Sequence, residues 1–191
     1  RCRWSWLFLQ ASRQRNQSAT MIRRPHLHEI KLLPQIENEA DLRYGHVGLR
    51  RVIDMPPATI VSLAQGLRDN RLWVAASPLN RPVGFALMKL HDGTAWLDQL
   101  SVLDRWQGRG LGVALIDRTA AAARILGHDT LYLSTYRDVP WNAPFYVKRG
   151  FEEVPRGIWP RAFRVQFMAE NSHGHPPWRR TIMRRSLGRD G

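Results

Sequence analysis

At 191 residues with 43% apolar side chains, the chain is long enough for one domain with a buried core, and no apolar run reaches the roughly 18 residues of a membrane span. One cysteine, Cys2, excludes an internal disulfide framework and points to a reducing, cytoplasmic setting; no Cys/His cluster has zinc spacing, so no metal is expected. The formal charge of +13 suits a polyanionic ligand, yet much of it lies at the ends: residues 1–28 hold six arginines and no acid, and Arg179, Arg180, Arg184, Arg185 and Arg189 crowd the C-terminus.

Residues 1–20 read as an appended leader, with Met21 as an alternative start; Trp4–Leu9 is too short for a secretory apolar region. Residues 21–191 read as a single domain. His28 to Leu33 is the first expected strand, and Pro34 opens a helical stretch through Ile36, Ala40 and Leu42 toward Leu49. A second helix begins at Pro57, with Ile60, Leu63, Ala64 and Leu67 on one face. Leu72–Ala76, Val83–Leu90 and Thr94–Val102 read as three antiparallel strands, the last two joined at Asp92-Gly93. A helix follows, with Leu111, Leu115, Ala122, Ile125 and Leu126 inward and a stop at Gly127. Thr130–Thr135 is then a strand parallel to the third, because a strand, a helix and a strand imply a right-handed crossover. A short helix spans about Asn142 to Arg149, a strand Glu152 to Ile158, and a helix Pro160 to Glu170. A polar linker covers His173 to Pro177, with His173 and His175 as linker residues, and a last strand covers Trp178 to Arg185, exposed and able to pair with a second copy.

Between the third strand and its helix stands Trp106-Gln107-Gly108-Arg109-Gly110-Leu111-Gly112. Glycines at every second position let backbone approach a ligand closely, and the amides that open a helix have no partner inside it and sit at its positive end. Such a place holds phosphate. The spacing does not fit a P-loop, which needs Lys after its last glycine, nor the G-x-G-x-x-G of a dinucleotide site. A tight connection without a ligand is the alternative.

The pattern Gln-x-x-Gly-x-Gly from Gln107 to Gly112 resembles the pyrophosphate-binding loop of the GNAT superfamily of N-acetyltransferases. Asn142-Ala143-Pro144-Phe145-Tyr146, followed by Gly150-Phe151, resembles the end of the same family's core, in the family's order and at about its separation. The resemblance covers roughly residues 28–187 and is most specific from Leu97 to Phe151. It implies an α/β (α+β) fold: a mixed, mostly antiparallel sheet flanked by helices, with one parallel pair splayed around the cofactor.

What the resemblance implies for chemistry is an acetyl-CoA-dependent N-acetyltransferase that passes the acetyl group to a primary amine, small or peptidic, by direct transfer in a ternary complex. Backbone at Leu100 and Val102 would bind the pantetheine arm, and the amides of Gly108, Arg109, Gly110, Leu111, Gly112 and Val113, after Gln107, the pyrophosphate. Arg109 adds a guanidinium to the phosphates or stands solvated. Asn142 would bond the cofactor arm, although it sits one turn before Tyr146 where relatives often place it two turns before. Tyr146 matches the family's general acid, or packs as a core tyrosine. Relatives often carry two acids on the strand before the loop. Here the pair is Asp98-Gln99, so Asp98 is either the base, directly or through water, or an edge carboxylate paired with an arginine.

No Cys or Ser stands in a nucleophile context, so an acetyl-enzyme is not expected. The incomplete acid pair leaves open a catalytically weak, GNAT-shaped acyl-CoA-binding or regulatory module. Nucleic acid is not the expected partner; such a role would predict affinity falling steeply with salt. The segments from His46 to Pro57 and from Arg156 to His175 are expected to shape the acceptor site. Their aromatics and neighbours Tyr44, Trp159, Phe163 and Phe167 either line an amine pocket or pack in the core.

Overall fold

The computed structural model describes residues 21–172 and 174–188; the expectations for the leader, Cys2, His173 and Arg189 lie outside them. In chain order the elements begin with β1 (Met21–Arg23), a 3-10 turn (Leu27–Leu32), α1 (Leu33–Asp41), a second 3-10 turn (Leu42–Val47), α2 (Arg50–Ile53) and α3 (Ile60–Arg68). The centre is β2 (Leu72–Ala76), β3 (Pro82–His91) and β4 (Thr94–Val102). Then come α4 (Leu111–Ile125), β5 (Thr130–Tyr136), α5 (Ala143–Val147), β6 (Glu152–Glu153), α6 (Arg161–Ser172) and β7 (Arg180–Ser186).

The strands form one sheet in the order β1-β2-β3-β4-β5-β7-β6. Every pairing is antiparallel except that of β4 with β5, the mixed sheet expected from the sequence. All of β2 and the run Val83–Met88 of β3 are buried, so both faces of the sheet's centre are covered. That is why these stretches read as continuous apolar runs. Asp92 and Gly93 both take positive φ, 45° and 73°, the conformation a two-residue type I′ hairpin demands.

Four expectations need correction. His28 to Leu33 forms no strand. The Glu29 carboxylate accepts from the His26 N–H at 2.7 Å and from Arg23 at 2.7 Å, which closes the segment into a 3-10 turn leading into α1, and Met21–Arg23 supplies the strand. Ile125 and Leu126 are exposed, because α4 turns Leu115, Ile116, Ala120 and Ala123 inward instead. The expected strand Glu152 to Ile158 is cut to two residues, since Pro155 opens another 3-10 turn. The last strand is not an edge: β7 lies between β5 and β6, and Trp178 stays outside it.

The arginines of that strand are no free basic stripe either. Arg180 pairs with Glu170, Arg184 with Glu152 at 2.8 Å and Arg185 with Asp117 at 3.0 Å, while Arg179, just before the strand, pairs with Asp138 at 2.8 Å. Trp159, Phe163 and Phe167 close a second apolar cluster with Trp96, Val154 and Ile182, so these three are core residues. Tyr44 belongs elsewhere. It packs on Tyr136 and Trp141, with ring centroids 5.6 and 5.9 Å away.

Candidate active site

The site begins where β4 and β5 part. Their parallel register holds only at Ala95–Leu131 and Trp96–Tyr132. Past these pairs the two strands diverge, and a cleft of about 860 Å³ opens between them, walled by α1, the turn after it, the glycine turn, α5 and α6. The Leu103 N–H donates to Val83 O at 2.9 Å, on the β3 side. By strand alternation Leu100 and Val102 then turn their backbone groups toward the cleft. The Val102 carbonyl is already engaged, accepting from Gln107 Nε2 at 2.9 Å. Its N–H remains on the open side.

Gln107 does more than flank the glycines. Its Oε1 accepts from Arg43, whose guanidinium lies 3.8 Å over the Trp141 ring. The side chain thus ties the turn to β4 and to the segment after α1. Gly108 and Gly110 take φ of 70° and 80°, and nothing lies within 4 Å of where a Cβ would project. Any other residue would be strained there and would fill the open cradle. At Gly112 a Cβ would meet only Phe145 Cζ at 3.6 Å, an ordinary contact, so that glycine is less constrained than its pattern suggests. Gly110 is the N-cap of α4 and offers no side chain, so the opening amides of a 15-residue helix face the cradle uncapped. The Arg109 side chain points elsewhere: it stacks on Trp106 at 4.7 Å and reaches the Arg105 carbonyl at 3.5 Å.

On the opposite lip, α5 carries Tyr146 into the cleft. The Tyr146 hydroxyl has no hydrogen-bond partner among the described residues, and burial raises its pKa far above the ordinary phenol value, with the nearby Tyr44 adding to the shift. It keeps its proton at neutral pH. Asn142 is buried, and its amide exchanges hydrogen bonds with the Tyr44 hydroxyl, Nδ2 to OH at 3.0 Å and OH to Oδ1 at 3.2 Å.

Asp98 sits at a β-bulge. Leu97 and Gln99 oppose the adjacent β3 residues Met88 and Leu87, which leaves Asp98 as the extra residue of β4. Its Oδ2 is 2.8 Å from Lys89 Nζ, and Oδ1 is 3.9 Å from His91 Nε2. Burial pushes its pKa up, but the facing His91 and Lys89 outweigh burial and hold it below the usual carboxylate range. Of the two readings the sequence left open, the ion-paired carboxylate is the geometry observed, with lysine in place of arginine.

Sequence reasoning missed the other acids of the cleft. Glu37 and Asp41 stand one turn apart on α1 and both line it. The signal was present: Leu33, Ile36, Glu37 and Ala40 form the buried stripe of this helix, so Glu37 occupies an apolar position. At the far end Arg180, 7% exposed, bonds Ser134 Oγ at 2.7 Å and Glu170, over the Tyr136 ring, whose hydroxyl lies 2.5 Å from His175 Nδ1. No group of three or more potential metal ligands gathers among the described residues.

A family model described as an acetyltransferase (GNAT) domain matches residues 68–153, from the end of α3 to β6. Over that stretch the chain is similar to the acetyltransferase (GNAT) domain, and the fold is of the GNAT type. Among solved structures the chain is similar to a GNAT-family acetyltransferase from Staphylococcus aureus (TM-score 0.66, 18% identity, 89% of this chain and 100% of that one). It is also similar to PaiA N-acetyltransferase from Thermoplasma acidophilum, in complex with coenzyme A (0.62, 15%, 88% and 99%). A ribosomal-protein alanine N-acetyltransferase from Escherichia coli gives 0.61 at 18% identity over 90% and 96%. At these identities the structural likenesses establish the fold.

Proposed function

We propose that residues 21–191 form one acetyltransferase domain that moves the acetyl group of acetyl-CoA to a primary amine by direct transfer. The observation that carries this is one cleft lined both by the parting strands β4 and β5 and by an uncapped helix N-terminus with two positive-φ glycines. A long arm ending in phosphates fits that shape: backbone of Leu100 and Val102 along the arm, Asn142 beside it, and the amides from Gly108 to Val113 at the pyrophosphate. The coenzyme A held by the Thermoplasma relative supports the same reading.

Bound acetyl-CoA supplies the acetyl thioester. The Val102 N–H donates to the carbonyl oxygen as negative charge develops on it. Tyr146, kept protonated by burial, gives its proton to the departing sulfur. Asp98, bound to Lys89, shapes the bulge and stays outside the proton path. The single cysteine fits a cytoplasmic place of action.

The test is calorimetric titration with acetyl-CoA, then thiol detection against a panel of amines. Binding with amine-dependent thiol release is expected. Binding without release to any amine would favour the acyl-CoA-binding module, and absence of binding would sink both readings.

A further inference from the structure

The transferase reading needs a base, and Asp98 is a poor one. Opposite it, α1 presents Glu37 and Asp41 to the same cleft. Glu37 is 8% exposed; its Oε2 accepts the Ala58 N–H at 3.0 Å, which leaves Oε1 without a partner among the described residues. Asp41 has no hydrogen bond and no ion pair there at all. It stands three residues before Tyr44, which joins α1 to Asn142 and, through the Tyr136 and Trp141 rings, to the α5 side of the cleft. The other charged and titratable groups that line the cleft are engaged or neutral. Asp98 pairs with Lys89 and Arg180 with Glu170, Arg43 is spent on Gln107 and the Trp141 face, Arg149 lies over the Phe145 ring, the Tyr136 hydroxyl meets His175, and Tyr44 and Tyr146 keep their protons. Two carboxylates therefore remain uncompensated in the acceptor half of the cleft, in a chain of formal charge +13.

Resting on the transferase reading, we propose that Glu37 and Asp41 form the subsite for the acceptor's ammonium and that Asp41 is the base which removes its proton. The acceptor class is then a cationic amine without a neighbouring carboxylate, such as a diamine or a lysine-like side chain. One proton passes from R–NH3+ to the Asp41 carboxylate. The free amine attacks the thioester carbonyl, the C–N bond forms, and the C–S bond breaks. Tyr146 gives its proton to sulfur, and the second proton shed by nitrogen restores the phenol. Asp41 later releases its proton to solvent. Burial pushes both carboxyls up to about 7, where a base is half available and still strong enough to accept.

The experiment uses the full chain, with acetyl-CoA affinity read by calorimetry and thiol release read from pH 5.5 to 9 with 1,4-diaminobutane and with glutamate as acceptors. The wild type is expected to prefer the diamine, with kcat/KM rising to a plateau through about pH 7. Asp41→Asn should keep acetyl-CoA affinity, lose that rise, and fall in kcat by about 10²-fold, with Asp41→Glu restoring part of it. Glu37→Gln should raise KM for the diamine more than it lowers kcat. A wild-type pH profile retained by Asp41→Asn, or a preference for glutamate, overturns the proposal. Failure of the wild type to bind acetyl-CoA overturns the transferase reading beneath it, an outcome recognisable before any amine is added.

Discussion

The two walls of the cleft are built differently. The wall at β4, the glycine turn and α4 is made of backbone: the open N–H of Val102, the uncapped amides after Gly110, and two glycines in left-handed conformation. The wall at α1, the turn after it, α6 and the start of β7 is made of side chains: Glu37, Asp41, Tyr44, Glu170, Arg180. Backbone recognition reads what is common to every donor of one kind, a polyphosphate and an extended arm. Side-chain recognition can change residue by residue. A family can thus keep one donor and vary its acceptors.

The sharpest way to break this contrast is a side chain on the backbone wall. Gly110→Trp places a ring in the cradle at a φ of 80°, and acetyl-CoA binding should fall below calorimetric detection while the far wall stays intact. Tyr146→Phe should next lower kcat by about 10²-fold with acetyl-CoA affinity unchanged, read by thiol release at saturation.

The acidic wall has a stability signature. The folded-state pKa of Glu37 is raised to about 7, so the native state holds a proton the unfolded chain has lost. Its contribution is full below the unfolded value near 4.5 and is lost as pH rises toward about 7. Glu37→Gln should therefore stabilise the protein at pH 8 relative to wild type, by about 3 kcal/mol, and do little at pH 4, read by thermal melts at both. The smallest effect is expected at Arg109→Ala, where the side chain lies along Trp106 outside the cleft: a change of about twofold or less in acetyl-CoA affinity.

Legibility followed the same division. The backbone wall was written in glycines at fixed spacing between a strand and a helix, and β2, β3, β4, α4 and β5 fell where apolar pattern and Asp92-Gly93 placed them. The side-chain wall depends on contacts far apart in sequence. Nothing local announces that Tyr44 will meet Asn142 or that Gln107 will be claimed by Arg43. Glu37 was visible as an acid on an apolar stripe, but its meaning required knowing what the stripe faced. The first strand was misread because the carboxylate of Glu29 outweighed the pattern of Ile30 and Leu32.

Hydrogen exchange of the full chain with and without acetyl-CoA tests this division most directly. The account predicts new protection at the amides of Val102 and of Gly108 to Val113, with α1 unchanged until an amine is added. Protection centred on α1 or β7, with the glycine turn exchanging as before, would contradict it.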